Sequence, residues 1–350
     1  MKQELLSQKE LIEKRGGVVV VSGTNPSPAE ITEGIKTISG SDLSVATATE
    51  QDVRLGKTFY AGSPDLKTGM ANMNTEELKH LFMYKNNEQT WDDVIYFTCP
   101  DYIDMLKDRM FEYSMNKVTI TFTENITKIG QYTFRNAKNF SFRNFSNLSA
   151  LTSIGQYAFS NSGCDGIDFS SLPNSIKNID SYAFENGVKE NQSIILPENL
   201  TGLGQSAFKK SERVLLNNFD CSNAKISSFS SSVCYFLAFN CDFIIPQNVV
   251  SVMSQFNYNG SFRNIVIPAN VKLYELAFGS SQYRPLSDFF LQSVVFEGEN
   301  PLVVGTNVFA EQNITNGFKI YVPDTAIDEY KAVSNLSKYV NCIYPMSQKE

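Results

Sequence analysis

His80 is the single histidine of this 350-residue chain, so Ser-His-Asp or Cys-His catalysis would have to run through it. It follows Thr75-Glu76-Glu77-Leu78, a capped helix start. No serine or cysteine around it stands in the strand-to-helix elbow that exposes a nucleophile, so it reads as a surface helix residue. The six cysteines are Cys99, Cys164, Cys221, Cys234, Cys241 and Cys342. They include no Cys-x-x-Cys pair, and one histidine is too few for a mixed zinc site, so no metal is expected. They read as small apolar fillers of a reduced protein. Two carboxylate pairs remain. Asp92-Asp93 reads as a turn into a strand, and Glu297 and Glu299 flank Gly298 as a loop does. Glycoside hydrolysis would need such a pair across a cleft with one pKa raised. Gly56-Lys57-Thr58 has the tail of a phosphate loop, but Gln51 stands where the first glycine belongs, and the run leads into a strand instead of a helix. Asn125-Ile126-Thr127 and Asn199-Leu200-Thr201 match a glycosylation triplet by pattern alone. No cofactor fingerprint occurs. The chain reads as a non-enzyme with no cofactor.

Binding residues are a different matter. Asn257-Tyr258-Asn259-Gly260-Ser261-Phe262-Arg263 and Ser280-Ser281-Gln282-Tyr283-Arg284-Pro285 combine Tyr and Arg with adaptable Asn, Ser and Gly, a composition favoured in binding surfaces. Tyr258, Asn259, Arg263, Tyr283 and Arg284 are therefore the candidate contact residues. Both stretches read as irregular loops.

Composition narrows the partner. The formal charge is −7, and no basic run reaches five residues, which argues against a nucleic-acid groove. No window approaches the eighteen or so apolar residues of a membrane span, so no membrane insertion is expected. Met1 to Glu10 lacks the apolar core of a signal peptide; if Met1 is the native start, the chain does not use the general secretion route. Hydrophobic residues make up 42% and charged residues 19%, enough to bury a core. Phe (26) and Tyr (16) far outnumber the single Trp, a bias suited to repeats that each add an aromatic ring to one continuous core.

The element that positions these residues is a repeat. Lys128-Ile129-Gly130-Gln131-Tyr132-Thr133-Phe134 recurs at 153–159, 178–184 and 202–208, with the closing phenylalanines 25, 25 and 24 residues apart. A period of that size marks a solenoid. Leu106 to Phe111 overlays on it, and weaker copies close at Cys234, Phe256, Phe278 and, through Val304-Gly305-Thr306-Asn307-Val308, at Phe309. Each unit carries a strand, often closed by proline as at Pro197, Pro246 and Pro268. The glycine of the motif is expected at a position of positive φ, with Asp180 as the next-best occupant. The expected fold class is an α/β repeat solenoid, a leucine-rich-repeat-like parallel β stack with a small mixed N-terminal head. Its divisions are a head at 1–74, a capping helix at 75–93, repeats at 94–318 and a C-terminal capping coil at 319–350.

The head has a short helix with Leu5, Leu6, Leu11 and Ile12 on one stripe, ended by Gly16-Gly17, then a strand at Val18 to Val21. Thr58-Phe59-Tyr60 reads as a strand before a Gly62-Ser63-Pro64-Asp65 turn. A first helix this short is marginal alone, so it packs within the chain or against a copy of it.

Two resemblances follow. The unit at 94–345, with Lys319-Ile320-Tyr321-Val322-Pro323, Tyr330-Lys331 and Ile343-Tyr344-Pro345 at its end, resembles the BspA-type, treponemal-like leucine-rich repeats of bacterial surface proteins. The run from Ala46-Thr47-Ala48 through Asp52-Val53, Gly56-Lys57-Thr58, Tyr60 and Gly62 to Thr68-Gly69 resembles a module of phage and prophage tail-fibre proteins, and the preceding Gly16 to Ile38 stretch resembles the same architecture. Together they imply a virion component, a tail tip, baseplate or fibre. Its head would bind other tail proteins or trimerise, and its repeats would contact a bacterial surface protein or polysaccharide. The alternative is a BspA-like adhesin on a bacterial cell surface, binding host protein or glycan.

Overall fold

The computed structural model describes residues 95–99, 103–279 and 291–349, apart from positions 116 and 311, together with residues 9, 10, 13, 58, 59, 67 and 68. The chain divides into two compact units, Met1–Leu78 and Lys79–Glu350. In the first, residues 9, 10 and 13 are helical, with Lys9 and Glu13 3.7 Å apart one turn on. Thr58–Phe59 pairs antiparallel with Lys67–Thr68; the expected turn at 62–65 lies outside the described residues. The expected capping helix with His80, the Asp92-Asp93 pair, Tyr283 and Arg284 lie outside the described residues.

The second unit is a parallel β-solenoid of about ten turns with little helix. One side is a ladder of very short strands. Met105–Leu106, Lys128–Ile129, Ser153–Ile154, Asn178–Ile179 and Gly202–Leu203 pair in sequence order. Ser228–Phe229, Ser251–Val252 and Lys272–Leu273 continue it as a separate set. Longer strands build the other side: Ile95–Thr98, Val118–Thr121 and Phe140–Arg143 at one end, and a five-stranded sheet from Phe243–Ile244 to Ile343–Pro345 at the other. Between the two sides the carbonyls of Pro173, Pro197, Pro246 and Pro268 each accept a bond from the N–H three residues on, at 3.0–3.3 Å.

Apolar residues alternate inward along the strands, and a column of rings fills the centre. Phe111, Phe134, Phe159, Phe184 and Phe208 are 0% exposed, and successive rings stack at 5.1–5.6 Å and 6–18°. Cys234 continues the column, fully buried. The next member is Asn257, not Phe256. Cys234 N–H donates to the Phe256 carbonyl and Asn257 N–H to that of Ala277, as Phe159 donates to Ala183, the residue before Phe184. Phe256 stands in the small-residue position and turns its ring onto Phe229 at 4.7 Å. Asn257 is 1% exposed, and its amide donates to the carbonyls of Cys234 and Leu237, which is how a buried polar group is kept. The last copy is also shifted: Leu273 pairs with Val303 and Phe278 with Phe309. One extra residue must therefore bulge. Val304 and Gly305 N–H both donate to the Leu273 carbonyl, and Val304 is 51% exposed.

The repeat glycine has a different role from the one expected. Gly130, Gly155 and Gly204 do not have positive φ. A Cβ on Gly155 would stand 2.7 Å from the backbone nitrogen of Gln131, and one on Gly204 2.3 Å from that of Ser181. Close approach of coils, not a left-handed backbone, demands glycine there. Left-handed residues instead recur two before the column, at Arg109, Tyr132, Tyr157, Tyr182, Ser206, Ser232, Gln255, Leu276 and Asn307, and in several coils two after it, at Tyr113, Asn136, Asn161, Asn186, Phe236 and Asn259.

The C-terminal coil is tied to the preceding repeats by side chains. Tyr330 Oη donates to the Gly298 carbonyl at 2.7 Å, Tyr339 Oη to that of Phe309, and the Asn335 amide to that of Val303.

Two substitutions test this packing. Phe159→Ala removes a ring stacked on both sides and should cost about 3–5 kcal/mol. Gly155→Ala forces coils apart and should cost about 1–3 kcal/mol, both read from urea unfolding of the full chain. A Gly155→Ala protein as stable as the parent would contradict the close approach.

Candidate functional site

Outside the phenylalanine column, the same stacking geometry builds a surface ridge. Tyr132, Tyr157 and Tyr182 are half-buried, with rings parallel at 5.2 and 4.6 Å. Arg109 lies 4.3 Å over the Tyr132 ring, and Arg135 reaches Tyr113, Tyr132 and Tyr157 at 5.3–5.6 Å. Lys209 sits between Tyr182 and Tyr235 at 5.7 and 5.6 Å, and Tyr235 contacts Tyr258 at 5.2 Å. The ridge thus crosses seven coils from Arg109 to Tyr258, about 30 Å at one strand spacing per coil.

A tyrosine in the left-handed region costs about 1–2 kcal/mol, and the ridge uses three in succession. Ring stacking returns about 0.5–1.5 kcal/mol per pair, and each backbone is tied across coils: Tyr132 N–H to Gln156, Tyr157 to Ser181, Tyr182 to Gln205. Charges along the ridge alternate. Glu112 pairs with Arg109 at 2.8 Å and Arg135 at 3.4 Å, while Glu185 accepts from Ser160 and lies 3.9 Å from Lys209. Burial pushes the Tyr157 hydroxyl above its ordinary pKa, with Tyr182 and Glu185 adding to it. The Tyr157 phenol is therefore a neutral donor at physiological pH. Ring faces are taken by neighbouring rings and cations, so the ridge offers partners its edges, hydroxyls and guanidinium groups.

Beside the ridge the ladder side carries a groove of about 490 Å³. It is lined by Gln131, Gln156 and Ser181, each the residue before a ridge tyrosine, by Asn178, Asp180, Gly202 and Gly204, and by Ser228 and Ser230. It sits where the ladder is interrupted between Leu203 and Phe229. There the Ser230 hydroxyl donates to the Leu203 carbonyl at 2.6 Å. Asn178 donates its amide to Asp180, which replaces the repeat glycine.

Of the residues expected from sequence, Tyr258 is the last rung of the ridge. Asn259 is left-handed (φ 57°), so 257–263 is a regular coil corner and not an irregular loop. Arg263 is not part of the ridge contacts; its Nε lies 3.4 Å from Asp242. Glu297 and Glu299 do not form a catalytic pair, since they accept separately from Gln247 and Thr325. The groups missed from sequence are Tyr132, Tyr157 and Tyr182 with Arg109 and Arg135. Their signal was a tyrosine returning every 25 residues, which reads as core. Among the described residues no cluster of His, Cys, Asp or Glu could hold a metal ion. All six thiols are free, five of them buried. Burial pushes Cys99 and Cys164 to about 12 and raises Cys221 and Cys234 well above the ordinary thiol value, so none of the four is a thiolate nucleophile.

These features define a parallel repeat solenoid presenting a recurrent surface, with no assembled catalytic centre among the described residues. The BspA type leucine-rich repeat region matches in six copies over residues 90–187 and 152–284, more than half the chain, and the chain belongs to that family. Solved structures with a similar fold include a leucine-rich repeat protein from Bacteroides ovatus ATCC 8483 (19% identity, 65% of this chain and 63% of that one, TM-score 0.43). A leucine-rich cell surface protein from Faecalibacterium prausnitzii A2-165 is 14% identical over 71% of this chain and 86% of that one, TM-score 0.31. The pneumococcal vaccine antigen PcpA is 16% identical over 73% and 89%, TM-score 0.27. The chain spans less than two thirds of the Bacteroides ovatus protein. No curated protein matches it.

Tyr157→Gly should be more stable than Tyr157→Ala by about 1 kcal/mol, because both lose the ring but only alanine keeps the left-handed strain. The reverse order in urea unfolding would refute that backbone. The thiols give a second expectation. At pH 7.5 iodoacetamide should label Cys241 first and leave Cys99, Cys164, Cys221 and Cys234 unmodified until the chain unfolds, as peptide mapping would show. Since folded-state thiol values lie above the unfolded value near 8.5, their contribution to stability is full below about pH 8.5 and declines as pH rises towards 12.

Proposed function

We propose that the repeat array is a non-enzymatic adhesion scaffold at a bacterial surface, and that it binds a partner protein along the tyrosine and cation ridge. The observation that carries this is the ridge itself: tyrosines and arginines, the residues that dominate binding energy at protein interfaces, held in one line across seven coils. The stacked rings are already ordered, so binding immobilises few side chains. The matched family supports a binding scaffold and indicates no enzyme.

A virion component is the second reading. It rests on the sequence resemblance of the N-terminal head, from Gly16 to Gly69, and the comparisons lend it no support. Immunolabelling of intact cells beside a purified particle fraction separates the two. Label on cells and none in particles is expected.

The ridge is tested with Tyr157→Ser and Arg135→Ser combined. Ser206 and Ser232 stand at the Tyr157 position and Ser160 at the Arg135 position in other coils, so the fold accepts serine there. Full-length protein is offered to intact bacterial and epithelial cells and bound protein is scored by flow cytometry. The parent should bind saturably and the double variant about tenfold or more weakly. Absence of parent binding to both cell types, or equal binding by the variant, defeats the proposal.

A further inference from the structure

The groove beside the ridge points to a ligand of another kind. We propose that it is a binding site for an uncharged, polyhydroxylated ligand, a neutral glycan, seated over Asn178 and Asp180. This goes beyond adhesion through the ridge, because it uses a separate set of side chains.

The size, about 490 Å³, lies in the range of small-ligand sites, roughly 300–1,000 Å³. Its chemistry is the opposite of most such sites. Leu203 is its one apolar lining side chain and is only 6% exposed, so neither a lipid nor the side chains of an apolar peptide would find a niche. No lysine or arginine lines it, and Asp180 would repel an anion. With a single carboxylate it lacks the ligand set of a divalent cation. What it presents are carboxamides and hydroxyls, groups that donate and accept at once, and that match vicinal hydroxyls of a sugar.

The groove is also shaped by departures from the repeat. Glycine occupies the Asp180 position in the coils of Gly130, Gly155 and Gly204, where a Cβ meets backbone of the preceding coil. Asp180 forgoes that fit, and Asn178 donates to it. Gly202 leaves the room for this: a Cβ there would stand 2.0 Å from Asn178 Oδ1. Ser228 pairs in register with Ser251, and Ser251 with Lys272; Lys128 holds the same column, between Met105 and Ser153, in the other part of the ladder. Small residues are therefore not required by the ladder at this position, yet they occur where the groove lies. A carboxylate oriented by a neighbouring amide on an open floor is suited to accept from two adjacent hydroxyls.

The test uses substitutions drawn from the repeat's own repertoire. Asp180→Gly restores the residue of the neighbouring coils, and Ser228→Lys introduces the side chain of Lys128 and Lys272. Both should fold as the parent does, by circular dichroism and urea midpoint. Full-length protein is applied to a printed array of neutral and acidic oligosaccharides, and the strongest neutral ligand is titrated calorimetrically. The parent should bind at least one neutral oligosaccharide. Asp180→Gly should weaken it about tenfold or more, Ser228→Lys should abolish it, and the Tyr157→Ser, Arg135→Ser protein should bind it unchanged. Binding of acidic oligosaccharides only, of none, or equal binding by Ser228→Lys would overturn the proposal. Cell binding by the same variants keeps the two readings apart: loss of sugar binding with cell binding intact affects the groove alone, and the converse affects the ridge alone.

Discussion

Coils in this solenoid lie one strand spacing apart, near 4.8 Å, and every column of side chains has to accept that distance. An aromatic ring accepts it well, because offset stacking favours centroid separations of about 4.5–7 Å. That is why phenylalanine can repeat without interruption from Phe111 to Phe208, at 5.1–5.6 Å. A like charge accepts it badly. In the column after the phenylalanines the sequence runs Glu112, Arg135, Ser160, Glu185, Lys209, and no two neighbours share a sign. Glycine appears where the backbone itself comes too near, as at Gly155 over Gln131. Core, surface charge and backbone permissiveness all answer to the same spacing.

The surface ridge is a second consequence. A left-handed residue two positions before the column turns the chain at each coil, and its side chain must then stack on its copies. Ser206 and Asn307 meet this locally with small polar groups, whereas Tyr132, Tyr157 and Tyr182 meet it by stacking into one aromatic edge. Strain at three bulky residues is maintained in the part of the surface where cations are interleaved, and observed strain of this kind points towards function more than towards folding. Four coils further on, the aromatic role passes to Tyr235 and Tyr258 from the adjacent column, so the edge continues although the motif that began it has decayed.

Much of the fold was legible because the motif from Ile129 to Phe134 states the period, the ladder and the central ring at once. What was not legible was register in degenerate copies and the reason for each special residue. Phe256 looks like a closing phenylalanine, yet hydrogen bonding across coils assigns that place to Asn257, which composition would never nominate for a core. Glycine in sequence does not say whether it serves a positive φ or a close approach; only neighbouring backbone decides, and here it decided for approach. The ridge was half visible. Tyr258 stood out because its surroundings look irregular, while Tyr157 was hidden by regularity, since a residue that repeats is taken for structure. Residues 280–290, which held Tyr283 and Arg284, lie outside the described part of the chain.

This suggests where information about ligands resides in such an array. The period specifies what every coil needs in order to stack, so a residue that departs from it without loss of stacking is free to serve something else. Asp180 departs from the glycine of Gly130, Gly155 and Gly204 at a place of close approach; Asn178 of the same coil donates to it, and Gly202 of the next coil leaves room for Asn178. Ser160, at the Arg135 position, departs as well but only shortens a side chain beside Glu185, and no neighbour compensates. Compensation across coils, more than departure alone, distinguishes the groove from ordinary variation, and it ties recognition to the same spacing that holds the solenoid together.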